Sequence, residues 1–155
     1  MDLSDIRLFR EAMRKLQRSS SWQWKNDAAC CGITAAQCHA LLEIGKNSEI
    51  TLVDLASILE LDTSTLSRTI DNMVQANLVE RKTNPEDRRY LSITLTKKGV
   101  EIFNDINYTF DQFYTDIFAD IPLEKQAQII ESINMLANAL TKSNNKTYCR
   151  KEPAK

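Results

Sequence analysis

The stretch "CCGITAAQCH", residues 30–39, gathers three of the chain's four cysteines and its only histidine into ten positions. Thiolates bind soft ions and react with oxidants, and imidazole ligates borderline metals. The stretch therefore has the residue types of a metal site, of a redox switch, or of three small buried hydrophobes. Cys30 and Cys31 lie just ahead of a segment that reads as a helix start, where the positive end of the macrodipole favours a thiolate. Cys38, three and four residues before Leu41 and Leu42, falls on the apolar side of that helix, which keeps core packing open. His39 sits about 100° around the helix from Cys38 and reads as a surface residue. The spacing lacks the paired C-x-x-C loops of structural zinc, and adjacent cysteines strain a single tetrahedral site. As a candidate metal and effector-sensing set, Cys30, Cys31 and Cys38 without a fourth ligand suit a thiophilic metal or metalloid ion such as trivalent arsenic or antimony, mercury or monovalent copper. Oxidation of one thiol and its condensation with a neighbour is the other chemistry the set allows. No obligatory cofactor is expected.

The rest of the chain must say what such a cluster would control. Its 155 residues suffice for one domain with a core, and with 43% apolar and 26% charged residues it reads as an ordinary globular protein. Three glycines and three prolines argue against a turn-rich β architecture and for a mainly helical one. A cytoplasmic location is expected. No apolar run approaches the ~18 residues of a membrane span, the N-terminus lacks a signal-peptide layout, and four irregularly spaced cysteines do not form a disulfide framework. One histidine, no glycine-rich phosphate loop and no carboxylate cluster at metal spacing argue against an enzyme. The net charge of −1 is uninformative, but residues 81–98 carry six basic and two acidic side chains, a compact basic patch.

Ile6, Phe9, Met13 and Leu16 recur at steps of three and four, predicting an amphipathic helix that runs toward Trp22 and Trp24. Thr34 and Gln37 have the form of a capping box for a short second helix, with Gly45 as its stop. Thr51 with Asp54 caps a third, striped by Leu52, Leu55, Ala56 and Leu59. Asp62 or Thr63 caps a fourth, whose buried face is Leu66, Ile70, Met73 and Val74. Ser64, Ser67, Arg68 and Asp71 form its opposite, polar stripe. The first two turns thus offer Thr63, Ser64, Thr65, Ser67 and Arg68, hydroxyls and a guanidinium that suit base edges and phosphates in a major groove. Leu91, Ile93 and Leu95 alternate with polar neighbours and can pair with Val79–Thr83 across a turn at Asn84 and Pro85, giving a two-stranded basic ribbon with Arg88 and Arg89 near its tip. A long helix follows, striped by Val100, Phe103, Ile106, Phe110, Phe113 and Ile117, and Pro122 opens a last one carrying Ile129, Ile133, Leu136 and Leu140. The segment 143–155, with Cys149, is polar and without period, and is expected to be a flexible tail.

Mainly α with a small two-stranded β wing, this order spells a winged helix-turn-helix, and it resembles the MarR family of transcription regulators. The stretches that carry the resemblance are "GITAAQCHALLEIG", "TLVDLASILELDTSTLSRTIDNMVQANLVER" and "NPEDRRYLSITLTKKG", together about residues 32–99. Its most specific piece is the wing, where Asp87 and Arg89 match the family's D-x-R motif. The resemblance implies that Asp87 steadies Arg89, that Arg89 enters a minor groove, and that Arg88 lies beside it on phosphate. It also implies a single domain over 1–142, with the winged helix at 34–99 and dimerisation helices at 3–26 and 97–142. The implied function is a DNA-binding regulator, a repressor by the family's commoner pattern. It would bind a pseudo-palindromic duplex as a homodimer and be released by an effector. Two effectors fit the residues: a thiophilic metalloid or oxidant at Cys30, Cys31 and Cys38, or a small phenolic compound beside Trp22 and Trp24 with the cysteines structural.

Overall fold

The computed structural model describes the backbone of residues 2–30, 32–47, 49–83 and 91–143, with side chains described at 2–20, 32–47, 49–82 and 91–142. In chain order the elements are α1 (Leu3–Cys30), α2 (Ala35–Lys46), β1 (Ile50–Thr51), α3 (Leu52–Leu59), α4 (Thr63–Gln75), β2 (Val79–Thr83), β3 (Leu91–Leu95), α5 (Lys97–Ala119) and α6 (Leu123–Ser143). They form two compact units, Met1–Phe110 and Asp111–Lys155. No helix of the described residues is long and apolar enough to cross a membrane.

Local chemistry sets the helix ends. The Thr34 hydroxyl accepts from the Gln37 amide at 3.2 Å while the Gln37 side chain accepts from the Thr34 amide at 2.9 Å, the reciprocal pair expected of a capping box. Thr51 accepts from the Asp54 amide at 3.1 Å, and Asp62 accepts from the Thr65 amide at 2.8 Å. At the far end of α3, Glu60 takes a left-handed conformation (φ 53°), which turns the chain into α4.

The first unit is built around one core. Leu41 and Ile44 of α2, Leu55 of α3, Leu66, Ile70 and Met73 of α4, Val79 and Ile93 of the ribbon, and Ile106 of α5 are all buried in it. These stripes come from the expected periodicity, except that Val74 is exposed rather than buried. At about 100° per residue Val74 lies roughly 80° around the helix from Leu66, at the edge of the apolar sector centred on Leu66, Ile70 and Met73. Gly45 does not stop α2 either, since the helix runs on to Lys46. A Cβ at Gly45 would lie 2.4 Å from two ring carbons of Phe103, so the glycine is there for close approach.

The sheet has three antiparallel strands in the order β1-β3-β2, where two were expected. Residues Val79 and Leu95 pair at one end of the ribbon and Thr83 and Leu91 at the other. The added strand is the two-residue β1, with Ile50 opposite Ile93 and Thr51 opposite Ser92.

In the second unit, the end of α5 and all of α6 are joined at Asp120–Pro122. The Gln126 side-chain amide donates to the carbonyls of Phe118 and Ile121 at 2.9 and 3.1 Å, closing the exposed C-terminus of α5. On α6, Ile133 and Leu140 of the expected stripe are exposed and Ile129 and Leu136 half-buried, while Leu123, Ile130 and Met135 outside it are exposed as well. Leu3, Leu8, Phe9 and Leu16 of α1 in the first unit are also exposed.

Candidate nucleic-acid interface

Helix α4 is held by its apolar side, and its polar side faces out. Leu66, Ile70 and Met73 are fully buried, which leaves Thr63, Ser64, Thr65 and Arg68 exposed on the first turns and Ser67 half-buried between the two faces. Asp62, as N-cap, accepts from the Ser64 hydroxyl at 2.6 Å and from the Thr65 amide. These bonds, the Ser64 hydroxyl foremost, hold its carboxyl well below the ordinary carboxylate range. The cap orders the first turn and fixes where Thr63, Ser64 and Thr65 stand. Arg68 makes no ion pair with another described residue, so its guanidinium is available to an anion.

Asp71, on the same polar stripe, is otherwise engaged. Its carboxylate accepts from Arg81 of β2 at 2.7 Å, an ion pair between the helix and the wing. The pair screens the one acidic side chain within α4 itself, Asp62 standing outside the helix as its cap. Periodicity placed Asp71 on the outward stripe but could not show its partner ten residues on. The basic patch around Arg81 was the only hint in the sequence.

The base of the wing is equally determined. Lys82 pairs with Glu80 at 3.1 Å, and Ser92 donates to the Lys82 carbonyl at 3.3 Å. Asp87, Arg88 and Arg89 lie outside the described residues, so of the wing only the two strands that would carry its tip are on view.

The cysteine segment divides. Cys38 is fully buried among the core residues of α2. Cys30 is the last helical residue of α1, which runs four residues beyond the expected 3–26, and the side chain of Cys30 and all of Cys31 lie outside the described residues. A helix C-terminus is the negative end of the dipole, so the backbone at Cys30 does not favour an anion as expected from sequence. The positive end of α2 begins only at Thr34, after a turn that Gly32 makes with a left-handed φ of 67°. Among the described residues no group of three or more His, Cys, Asp and Glu could hold a metal ion. His39 is exposed at one edge, yet burial of part of its ring holds its pKa below the ordinary value, with the charge of Glu43 acting in the opposite direction.

Residues 33–91 match the family model described as "MarR family". The chain is 26% identical over 101 residues to the HTH-type transcriptional regulator BilQ of Clostridioides difficile (strain CD3), covering 65% of this chain and 68% of that protein. It is 40% identical over 70 residues to the multiple antibiotic resistance protein MarR of Escherichia coli (strain K12), covering 45% of this chain and 49% of that one. Among solved structures, Streptococcus pneumoniae FabT in complex with DNA matches with a TM-score of 0.79 at 19% identity, over 88% of this chain and 98% of that chain. The last likeness is one of fold. The likeness to the MarR family is thus carried by residues 33–91, the winged helix, and the BilQ relative is named a transcriptional regulator.

Proposed function

We propose that the protein is a transcriptional repressor that binds duplex DNA as a homodimer, with α4 in the major groove and the wing on the adjacent backbone and minor groove. The observation that carries this reading is the outward face of α4: hydroxyls, and an arginine with no ion pair among the described residues, on a helix start held in place by Asp62 and the core. Thr63, Ser64, Thr65, Ser67 and Arg68 are the groove contacts, Arg88 and Arg89 the wing contacts, and Asp87 steadies the wing. The fold shared with the DNA-bound FabT structure supports the placement. The uncovered apolar residues of α1 and α6 support a second copy of the chain as their partner, which would set two α4 helices about one helical turn of DNA apart. Residues 1–142 then act as one domain, with 143–155 as a tail.

A thiol-directed agent, metalloid or oxidant, would act at Cys30, Cys31 and Cys38 and shift the population of DNA-competent dimers. The complete burial of Cys38 favours the second reading, in which the cysteines are structural and a small aromatic compound is sensed near Trp22 and Trp24.

One experiment tests both levels. The reduced protein is titrated onto its own upstream DNA by fluorescence anisotropy, with arsenite, zinc, peroxide or salicylate added, for wild type and Cys38→Ser. Sequence-specific binding that falls steeply with salt is expected, and its absence overturns the DNA-binding reading. Release by a thiol agent in wild type alone makes the cysteines the sensor. Release by salicylate in both proteins makes them core.

A further inference from the structure

The two DNA-reading elements are joined at their back by a single helical turn. Three consecutive carbonyls that end α4 and lead into β2 all accept hydrogen bonds from the start of α5. The Lys98 ammonium donates to the Ala76 carbonyl at 3.0 Å, the Thr96 hydroxyl to the Asn77 carbonyl at 2.6 Å, and the Thr96 amide to the Leu78 carbonyl at 3.1 Å. The same Thr96 hydroxyl accepts from the Gly99 amide at 3.0 Å and so caps α5. Gly99 is buried, and a Cβ there would come within 1.9 Å of the Leu78 carbonyl oxygen, so α5 lies directly against this turn. Asn77 holds the turn in a left-handed conformation (φ 58°). Leu95, next to Thr96, is paired with Val79 at the root of the wing.

The turn that ends α4, the root of the wing and the start of α5 thus meet around Thr96, whose hydroxyl bonds the Asn77 carbonyl and the Gly99 amide and whose own amide bonds the Leu78 carbonyl. We propose that Thr96 is a positioning residue for DNA reading, one that fixes the angle between α4 and the wing and thereby selects which sequences both can engage at once. The proposal rests on the reading of α4 and the wing as a DNA interface. It separates two properties that a stability role would merge. Non-specific binding needs only positive charge near phosphate, whereas specific binding needs α4 and the wing in register together.

The test begins with random-sequence duplex DNA enriched on wild-type protein. The readout is the ratio of affinities for the enriched duplex and a scrambled duplex of the same composition, measured well below the unfolding temperature of every variant. Thr96→Val removes the hydroxyl and keeps the shape. It is expected to lower the ratio by about tenfold, the scale of one to two neutral hydrogen bonds, while binding to scrambled DNA is unchanged. Thr96→Ser is expected to restore the ratio. Thr109→Val, which loses only a bond from its hydroxyl to the Asp105 carbonyl within α5, is expected to leave it alone. An unchanged ratio in Thr96→Val overturns the proposal, as does an equal loss on both duplexes. Should Thr96→Val fail to fold, Lys98→Met decides instead: the ratio falls by about threefold if the joint positions α4, and stays constant if it does not. A wild-type protein that enriches no duplex overturns the underlying DNA reading, an outcome distinct from the others.

Discussion

Gly45 gives the sharpest prediction about stability, because two opposing effects meet there and their sizes decide the sign. Replacing glycine by alanine inside a helix gains up to ~1 kcal/mol, less near a helix end. Gly45 is the penultimate residue of α2, so the gain is a fraction of that. Against it, the new methyl would sit 2.4 Å from Cδ2 and Cε2 of Phe103 and 2.9 Å from its Cγ. Carbon atoms pack at about 3.5–4.0 Å, so the ring must retreat by more than an ångström. The contact reaches the ring's attachment carbon, and a flip about the ring axis cannot relieve it. Overpacking of this kind costs about 1–3 kcal/mol. Gly45→Ala is therefore expected to lose about 1 kcal/mol net, read as a shift in the urea midpoint at unchanged slope and fixed protein concentration. In a Phe103→Leu background the obstruction is gone, and the same substitution is expected to be neutral or stabilising, a coupling of about 1–1.5 kcal/mol between the two sites. A Gly45→Ala protein at least as stable as wild type would refute the reasoning, and so would additive effects in the double mutant.

Three further outcomes are expected. Because hydrogen bonds from Ser64 and Thr65 lower the Asp62 pKa from 3.8, its stabilising effect is complete above that value and is lost as pH falls further, through the folded pKa. The difference in melting temperature between wild type and Asp62→Ala should therefore narrow on acidification, and a gap that widens would contradict the sign. Burial, with Glu43 opposing, lowers the pKa of His39 below 6.5, so stability should fall as pH drops from neutral through the folded pKa. As the chain's only histidine it gives a single NMR titration to compare with 6.5, and His39→Gln should flatten the pH dependence. Arg81→Ala breaks an ion pair that is about half exposed and costs less than about 1 kcal/mol of stability, yet leaves the Asp71 carboxylate bare on α4. DNA affinity should drop by more than stability does, and Asp71→Asn in that background should recover part of it; a double mutant that binds no better than Arg81→Ala refutes the masking role.

What the sequence made legible were features with short-range causes. The caps at Thr34, Thr51 and Asp62 need only three residues to declare themselves, and the stripes of α3 and α4 repeat often enough to be read as one face. The paired strands at Val79–Thr83 and Leu91–Leu95 followed from alternation across a turn. Features set by distant partners stayed hidden. A two-residue strand at Ile50 and Thr51 has no period and exists only because β3 offers an open edge. Gly45 looked like a helix stop because nothing nearby in sequence reveals Phe103 against it. Helix α1 continues to Cys30 through polar and small residues, where the apolar rhythm used to trace it fades. The outward side of α4 was legible as a polar stripe, whereas the engagement of Asp71 by Arg81 required the register of β2 against the helix.

The dual role of Thr51 has a consequence for engineering. One residue is both the end of β1, paired with Ser92, and the cap of α3, receiving the Asp54 amide and donating to its carboxylate at 2.6 Å. The segment has no slack: inserting or deleting a residue here would slide the strand or uncap the helix. A chimera that transplants a foreign helix pair to redirect sequence preference must therefore cut ahead of β1, in the link after Lys46. It must also carry along the β3 positions matching Ile50 and Thr51. Grafts joined at the visible start of α3 would import a helix whose first turn was shaped for another sheet.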